Sequence, residues 1–319
     1  MSRSLMPGPD VARRSGRVAV LMGGTAAERE VSLSSGRFVL EALLESGVDA
    51  FKVDIGPNPL KQILELEADR AFNILHGRGG EDGRIQALLE AAGIPYVGNG
   101  IKASAVTMDK LMTKRLALGA GMDTPEFRVA RSLEDALQAG RELGYPLIVK
   151  PVHEGSSIGM SKVCAEQEMN AAYERACGYG TVMLERWIEG AEYTVAWIDG
   201  QALPAIRVET PHDFYDYEAK YAADSTRYHC PCGLAAGEQD ALQALTLRCA
   251  EICDLRHWAR MDFMRDSDGR FLLIEVNTVP GMTDHSLVPM AARVAGLDFR
   301  QLVLKLLELT LDDAAGVCS

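Results

Sequence analysis

The sequence predicts a mixed fold that opens with an α/β, Rossmann-like domain, and two stretches carry this prediction. The apolar run "RVAVLMGG" ends in paired glycines and precedes a helical pattern over residues 25–45. The stretch "AFNILHGRGGEDG" repeats this design and precedes the helix "RIQALLEAAG". Alternating strands and helices imply a parallel sheet with crossover helices, with ligands at the carboxyl ends of the strands. Glu28 and His76 follow those ends.

The following elements predict an α+β arrangement. The helical segment "ASAVTMDKLMTKRLALGAG" leads into "EFRVA", the helix "SLEDALQAGRELG" and the strand "YPLIVKP". Lys150 ends that strand directly before the Gly/Ser-rich loop "VHEGSSIGMSKV", which is a suitable place for a phosphate clamp. A hairpin around Asp199-Gly200 follows, then a long aromatic segment over residues 210–234 and the helix "EQDALQALTLRCAEICDLR".

The last predicted hairpin, "RMDFMRDSDGRFLLIEVN", carries Arg260, Asp262, Glu275 and Asn277 where apolar residues are expected. A two-residue turn at 267–268 would pair Arg260 with Glu275 and Asp262 with Leu273. Because side chains alternate along a strand, any turn of even length keeps the polar groups on one side of the sheet. The opposite face would consist of Met261, Phe263, Leu272, Ile274 and Val276.

Three interpretations of this hairpin remain open at this point. A calcium loop of the EF-hand type requires an aspartate where Met264 stands, and the flanks predict strands rather than helices. A purely structural hairpin is compatible with charges on an exposed sheet face. However, "NTVPG" stops the strand directly after the polar pair, and these oxygen ligands suit Mg2+ shared with substrate phosphates.

Four further candidates have ordinary structural explanations. Thr25-x-x-Glu28 is a capping box, which alone would explain Glu28. His76 is compatible with a structural histidine, and Lys110 and Lys150 with surface lysines. The phosphate-binding patterns G-x-x-x-x-G-K-[ST] and G-x-G-x-x-G are absent, so a nucleotide would need another device to hold it.

Bulk properties exclude several classes of protein. The net charge of −12 argues against a nucleic-acid-binding surface, and no window approaches the roughly 20 apolar residues of a membrane span. The seven cysteines are irregularly spaced, which favours reduced thiols in a cytoplasm over a zinc site. Residues 1–17 lack the apolar core of a signal peptide and are predicted to be a disordered leader.

Taken in order, the motifs resemble the D-alanine-D-alanine ligase family of the ATP-grasp superfamily. They are "GGTAAEREVSLSSG", "LHGRGGEDGRIQ", "MDKLMTKRL", "IVKPVHEGSSIGMSKV", "FYDYEAKY", "RMDFM" and "LIEVNTVPGMTDHSLVP". The resemblance covers residues 18–288 and implies a two-part ATP-grasp fold after the N-terminal domain. The implied divisions are an N-terminal domain over 18–103, a central subdomain over 104–187 and a C-terminal subdomain with the metal site over 188–319.

The resemblance also implies roles around the nucleotide. Asp262, Glu275 and Asn277 match ligands of two Mg2+ ions, for which Mn2+ can substitute, and Lys110 and Lys150 match phosphate-binding lysines. Residues 154–160, including Ser157, match a lid over the phosphates. The matches to adenine and ribose contacts are Glu185, backbone groups of Arg186, Trp187 and Ile188, and Glu192.

On the amino-acid side, Glu28 and His76 match residues that hold the first D-alanine. Ser156 and Tyr221 match a hydrogen-bonded pair that positions Glu28, and Arg260 with the Gly281 N–H matches an oxyanion hole. Lys220, Ser286 and Leu287 match groups around the second D-alanine.

The expected function is therefore ATP-dependent joining of two D-alanine molecules for peptidoglycan precursors, through an acyl phosphate. The expected setting is a cytoplasmic homodimer without nucleic-acid or membrane partners. Two rival functions are a nucleotide or divalent-ion sensor without turnover, and a ligase for other substrates, such as D-lactate.

Overall fold

The N-terminal domain is a four-stranded parallel sheet with strand order β2-β1-β3-β4, as the alternating pattern predicts. The computed structural model describes residues 4–210 and 226–316. The elements of this domain are α1 (Val11–Arg14), β1 (Arg17–Gly23), α2 (Arg29–Glu45), β2 (Asp49–Ile55), α3 (Pro59–Leu64), β3 (Arg70–Asn73), α4 (Arg84–Ala91) and β4 (Tyr96–Val97).

A second, antiparallel sheet with order β5-β8-β6-β7 forms the middle of the chain. Its elements are α5 (Ile101–Met108), α6 (Lys110–Gly119), β5 (Phe127–Ala130), α7 (Leu133–Leu143), β6 (Leu147–Pro151), β7 (Ser161–Val163), a 3-10 turn (Glu166–Glu168), α8 (Met169–Cys177) and β8 (Val182–Arg186). Helices α7 and α8 cover the apolar face of this sheet, which has its own core.

The third sheet is antiparallel with order β12-β11-β9-β13-β14, and β10 pairs with β9. Its region contains β9 (Ala191–Ile198), β10 (Gln201–Ala202), β11 (Ile206–Glu209), β12 (Arg227–His229), α9 (Ala236–Ile252), β13 (Trp258–Arg265), β14 (Phe271–Asn277), α10 (Leu287–Val294) and α11 (Phe299–Gly316). The predicted hairpin at Asp199-Gly200 is the β9–β10 turn, and both residues have positive φ, as tight hairpin turns require.

Helix α11 returns from the third region to pack on the N-terminal domain. Leu302 and Leu306 share one buried cluster with Val18 and Phe72 of the parallel sheet. Val11 of α1 is 2% exposed and belongs to the same cluster. The prediction of a disordered leader is therefore wrong for the stretch around α1, because a buried valine anchors that stretch.

The described ranges contain no helix long and apolar enough to cross a membrane. Their six cysteines are free thiols.

Candidate active site

Two adjoining clefts lie where the three regions meet. The larger has a volume of about 610 Å³ and lies between the two antiparallel sheets; we call it the nucleotide cleft because the residues predicted to contact a nucleotide line it. The smaller has a volume of about 470 Å³ and lies between the N-terminal domain and the β13–β14 hairpin; we call it the amino-acid cleft because residues predicted to contact an amino acid line it. Lys110 and Glu275 line both clefts, so the two spaces share one wall.

The polar residues of the hairpin lie on one side of the sheet, as predicted, but the predicted even-length turn is wrong. Arg265 pairs with Phe271, which leaves an odd number of residues between them, and a bulge compensates for it. The pairs differ from those predicted, because Arg260 lies opposite Asn277 and Asp262 lies opposite Glu275. A bulge between these pairs and Phe263–Leu273 shifts the register by one residue. Leu273 is consequently buried in the core, whereas Ile274 lines the nucleotide cleft, so the predicted positions of these two residues are wrong.

Arg260 and Asp262 form a buried, two-pronged ion pair. Arg260 Nε donates to Asp262 Oδ1 at 2.9 Å, and Arg260 Nη2 donates to Asp262 Oδ2 at 2.8 Å. Thr194 of β9 also donates to Oδ1, at 2.6 Å. A carboxylate held by three donors has a fixed orientation, which a charge-binding site needs.

The side chains on this wall fit a hard divalent cation. Two carboxylates face each other across the hairpin, and the amide of Asn277 follows on the same side. Mg2+ prefers oxygen ligands and usually binds through one or two carboxylates together with substrate phosphates. Each carboxylate also forms an ion pair with a basic side chain, Asp262 with Arg260 and Glu275 with Lys110. The wall therefore places negative and positive charges side by side.

Lys110 begins helix α6 because Asp109 interrupts the single helix that the sequence predicts. Asp109 has extended backbone angles, and its side chain accepts from the N–H of Met112. Lys110 Nζ then lies 3.2 Å from Glu275 Oε2 and donates to the carbonyl of Glu154 at 2.8 Å. Burial alone would lower the pKa of Lys110. The attraction of the nearby Glu275 carboxylate, with smaller contributions from Glu28 and Glu81, is the stronger effect and holds this pKa above its usual value.

At the floor of the nucleotide cleft, Glu185 lies between Lys150, which also lines the cleft, and the buried Lys114 beneath it, and it forms ion pairs with both. Burial alone would raise the pKa of Glu185, yet the two ammonium groups hold it below its usual range. Burial lowers the pKa of Lys114 to about 8. Sequence reasoning missed Lys114, which lies in "MDKLMTKRL" and resembles any other lysine of an amphipathic helix.

The remaining predicted nucleotide contacts also line the larger cleft. They are Ser157, Arg186, Trp187, Ile188 and Glu192. The N–H groups of Arg186 and Trp187 already donate to the carbonyls of Glu126 and Pro146. These two N–H groups therefore already have backbone partners.

In the amino-acid cleft, Glu28 accepts a hydrogen bond from Ser156 Oγ at 2.5 Å. Helix α2 begins at Arg29, and Glu28 makes no side-chain cap, so the capping-box explanation of Glu28 is wrong. Ser156 and Ser157 both have left-handed backbone angles. These consecutive serines line different clefts, so the loop that carries them runs over the boundary between the two.

His76 and Glu81 lie on the loop after β3, in the same cleft. His76 Nδ1 contacts the Ile74 carbonyl at 2.9 Å, and its buried Nε2 has no partner within residues 4–210 and 226–316. Burial lowers the pKa of His76, so the ring is neutral at neutral pH. Burial and the nearby Glu28 raise the pKa of Glu81 to about 8. Sequence reasoning gave Glu81 no role, because its protonation depends on these tertiary neighbours.

The far wall of this cleft comes from the segment after β14. Gly281, Ser286 and Leu287 line it together with Arg260, so the structure brings these four predicted site residues together. Ser286 Oγ accepts from the N–H of Thr283 at 3.0 Å, which fixes the hydroxyl beside Gly281. The other two predicted residues of this site, Lys220 and Tyr221, lie outside the described residues.

Gly77→Ala is expected to impair use of the amino acid. Gly77 has φ +71°, and a Cβ there would come within 2.6 Å of Glu28 Oε2. The carboxylate would have to move, so we expect kcat/KM for the substrate predicted to bind Glu28 to fall by about 10- to 100-fold. Gly79→Ala is the matched control, because Gly79 also has positive φ but faces open space. Steady-state kinetics would contradict this prediction if both variants lost activity equally.

Two antiparallel sheets that enclose a cleft with two lysines and paired carboxylates define an ATP-grasp protein. The profile "D-ala D-ala ligase C-terminus" matches residues 119–308, and "D-ala D-ala ligase N-terminus" matches residues 52–99. The chain belongs to the D-alanine–D-alanine ligase family.

Individual relatives agree with this assignment. The D-alanine–D-alanine ligase of Stutzerimonas stutzeri is 57% identical over 298 residues, which is 93% of this chain and 95% of the relative. The crystal structure of the Bacillus anthracis D-alanine–D-alanine ligase superposes with a TM-score of 0.84 at 32% identity, over 94% of this chain and 99% of that one. VanG D-Ala:D-Ser ligase from Enterococcus faecalis also superposes, with a TM-score of 0.81 at 28% identity, over 93% of this chain and 99% of that one.

Proposed function

We propose that this protein joins two D-alanine molecules into D-alanyl-D-alanine, converts ATP to ADP and phosphate, and supplies peptidoglycan precursors. One observation carries the assignment of the site: the nucleotide and amino-acid clefts meet at Lys110 and Glu275. A γ-phosphoryl group bound in one cleft can therefore reach a carboxylate bound in the other.

The reaction needs activation because a carboxylate has no good leaving group. Phosphoryl transfer from ATP to the first D-alanine gives an acyl phosphate. The amine of the second D-alanine attacks it, and phosphate leaves. Lys110, Lys150 and Arg260 hold the phosphates, since phosphoryl transfer depends mainly on positioning and charge neutralisation. Glu28 binds the ammonium group of the first D-alanine, and Ser156 orients Glu28 through their hydrogen bond.

Asp262, Glu275 and Asn277 are the proposed ligands of two Mg2+ ions. When bound, the metal supplies neutralisation of the phosphate charge. Arg260 and the Gly281 N–H stabilise the oxyanion formed during amine attack, each worth about 3 kcal/mol by analogy with other oxyanion holes. The loop over residues 154–160 excludes water from the acyl phosphate.

The decisive experiment is a phosphate-release assay with purified protein. We expect release only when ATP, Mg2+ and D-alanine are all present, and we expect EDTA to abolish it. Mass spectrometry of the product separates the dipeptide from an ester made with D-lactate or a D-serine product. Binding of Mg-ATP without D-alanine-dependent turnover would instead identify a sensor on the same scaffold.

Tyr221→Phe is expected to raise KM for D-alanine with little change in KM for ATP. The proposed reason is loss of the hydroxyl group that, with Ser156, positions Glu28. Tyr173→Phe, in helix α8 and away from both clefts, is the control. Kinetics of Tyr221→Phe that match the wild type would remove the positioning role.

The three divisions at residues 18–103, 104–187 and 188–319 are proposed as the units of the fold, each built on one sheet. A homodimer in the cytoplasm is the proposed state. Light scattering tests the homodimer, and cell fractionation tests the cytoplasmic location.

A further inference from the structure

Lys114 is a fully buried lysine below the floor of the nucleotide cleft, with a relative exposure of 0%. Its Nζ donates to Thr124 Oγ1 at 2.6 Å, lies 3.5 Å from the carbonyl oxygen of Leu273 and forms an ion pair with Glu185. An apolar side chain of similar length would avoid the cost of burying a charge. The presence of an ammonium group at this position therefore calls for a role beyond packing.

The partners of Lys114 lie at the bulge of the hairpin. Thr124 Oγ1 donates to the Leu273 carbonyl at 2.8 Å, and the Leu273 N–H donates to the Asp123 carbonyl at 2.8 Å. The segment 123–124 thus holds β14 at the point where its register with β13 shifts. Glu275 follows Leu273 by two residues, and a one-residue slip in register would turn its side chain to the opposite face.

We propose that Lys114 is a positioning residue that links Glu185 in the nucleotide cleft to the bulge that aims Glu275 at the shared wall. Through Thr124 and the backbone of Leu273, this link connects Glu185, the predicted base contact, to the strand that carries Glu275, the predicted metal ligand. The proposal rests on the proposed nucleotide and metal roles of these two glutamates.

The test measures binding directly, with the full-length protein and a nonhydrolysable ATP analogue in the presence and absence of Mg2+. For Lys114→Met we expect the Kd of the analogue with Mg2+ to rise about tenfold, as for loss of one charge-assisted hydrogen bond. KM for ATP is expected to rise in parallel, and KM for D-alanine to stay within about twofold.

Lys305→Met is the matched control. Like Lys114, Lys305 is a buried lysine. It forms ion pairs with Asp199 at 3.2 Å and Glu308 at 3.3 Å, and it lines neither cleft. We expect this variant to lower Tm and to leave the Kd of the analogue unchanged. A folded Lys114→Met protein with wild-type affinity, or the same loss of affinity in both variants, would overturn the proposal.

If Lys114→Met does not fold, the variants Thr124→Val and Thr124→Ser test the same proposed link, because Thr124 connects Lys114 to Leu273. Valine has nearly the shape of threonine but no hydroxyl, so we expect weaker binding of the analogue mainly in the presence of Mg2+. Serine keeps the hydroxyl group, so we expect Thr124→Ser to bind the analogue with nearly wild-type affinity. Equal affinities for the two variants would also overturn the proposal. If the wild type bound the analogue without D-alanine-dependent turnover, the proposed function would be wrong. The affinities of the variants for the analogue would still test the positioning role of Lys114.

Discussion

Replacing Glu275 with glutamine is expected to reduce D-alanine-dependent phosphate release by on the order of 10³-fold and to leave the fold intact. The amide keeps the shape of the side chain, but it removes the negative charge that lies 3.2 Å from Lys110. It is also a poorer ligand for a divalent cation than a carboxylate. The side chain is 22% exposed at the wall of a cleft, so little packing depends on its charge.

The measurement combines the phosphate assay with thermal unfolding followed by circular dichroism. Glu166→Gln serves as the control, because the Glu166 side chain is 41% exposed and pairs with Arg141 away from both clefts. We expect nearly wild-type turnover for that variant. Full activity of Glu275→Gln would remove Glu275 from the metal site.

Replacing Arg260 with lysine is expected to lower kcat by about 100-fold. Lysine keeps the positive charge but cannot reproduce the two-pronged contact with Asp262, at 2.9 and 2.8 Å. A carboxylate released from one donor can rotate away from the position that a metal requires. The same change removes one proposed donor to the oxyanion, so the effect falls on kcat more than on KM for ATP.

Arg265→Lys, in the same strand, provides the matched comparison. Arg265 pairs with Glu238 and lines neither cleft, so a comparable substitution is expected to leave kcat within about twofold of the wild type. Stopped-flow or steady-state phosphate release can measure both variants. A similar decrease in kcat in both would indicate a general effect on strand β13 rather than a role for Arg260.

The hairpin shows how far strand periodicity alone can be taken. Alternation placed Arg260, Asp262 and Glu275 on one side of the sheet, and the structure agrees. It misassigned Leu273 and Ile274, because nothing in "RFLLIEVN" indicates a bulge. At the bulge, the Leu273 N–H donates to the Asp123 carbonyl and Thr124 Oγ1 donates to the Leu273 carbonyl, and these two partners are distant in sequence.

Local rules failed where tertiary partners compete for the same side chain. Thr25-x-x-Glu28 has the sequence of a capping box, but the Glu28 carboxylate accepts a hydrogen bond from Ser156 and does not cap the helix. Asp109 breaks a pattern that is helical throughout, because its side chain caps the helix that follows. Lys114 and Glu81 were missed because their pKa values are shifted by burial, which composition and spacing do not reveal.

The amino-acid cleft draws Glu28 from the start of the chain, Ser156 from the middle and Ser286 from near its end. During synthesis on the ribosome, the strands of the N-terminal sheet emerge first, but helix α11, which completes their buried cluster, emerges near the end. Catalytic competence must likewise wait until almost the entire polypeptide has been translated. A truncated translation product would therefore lack both the complete site and part of the core of its N-terminal domain.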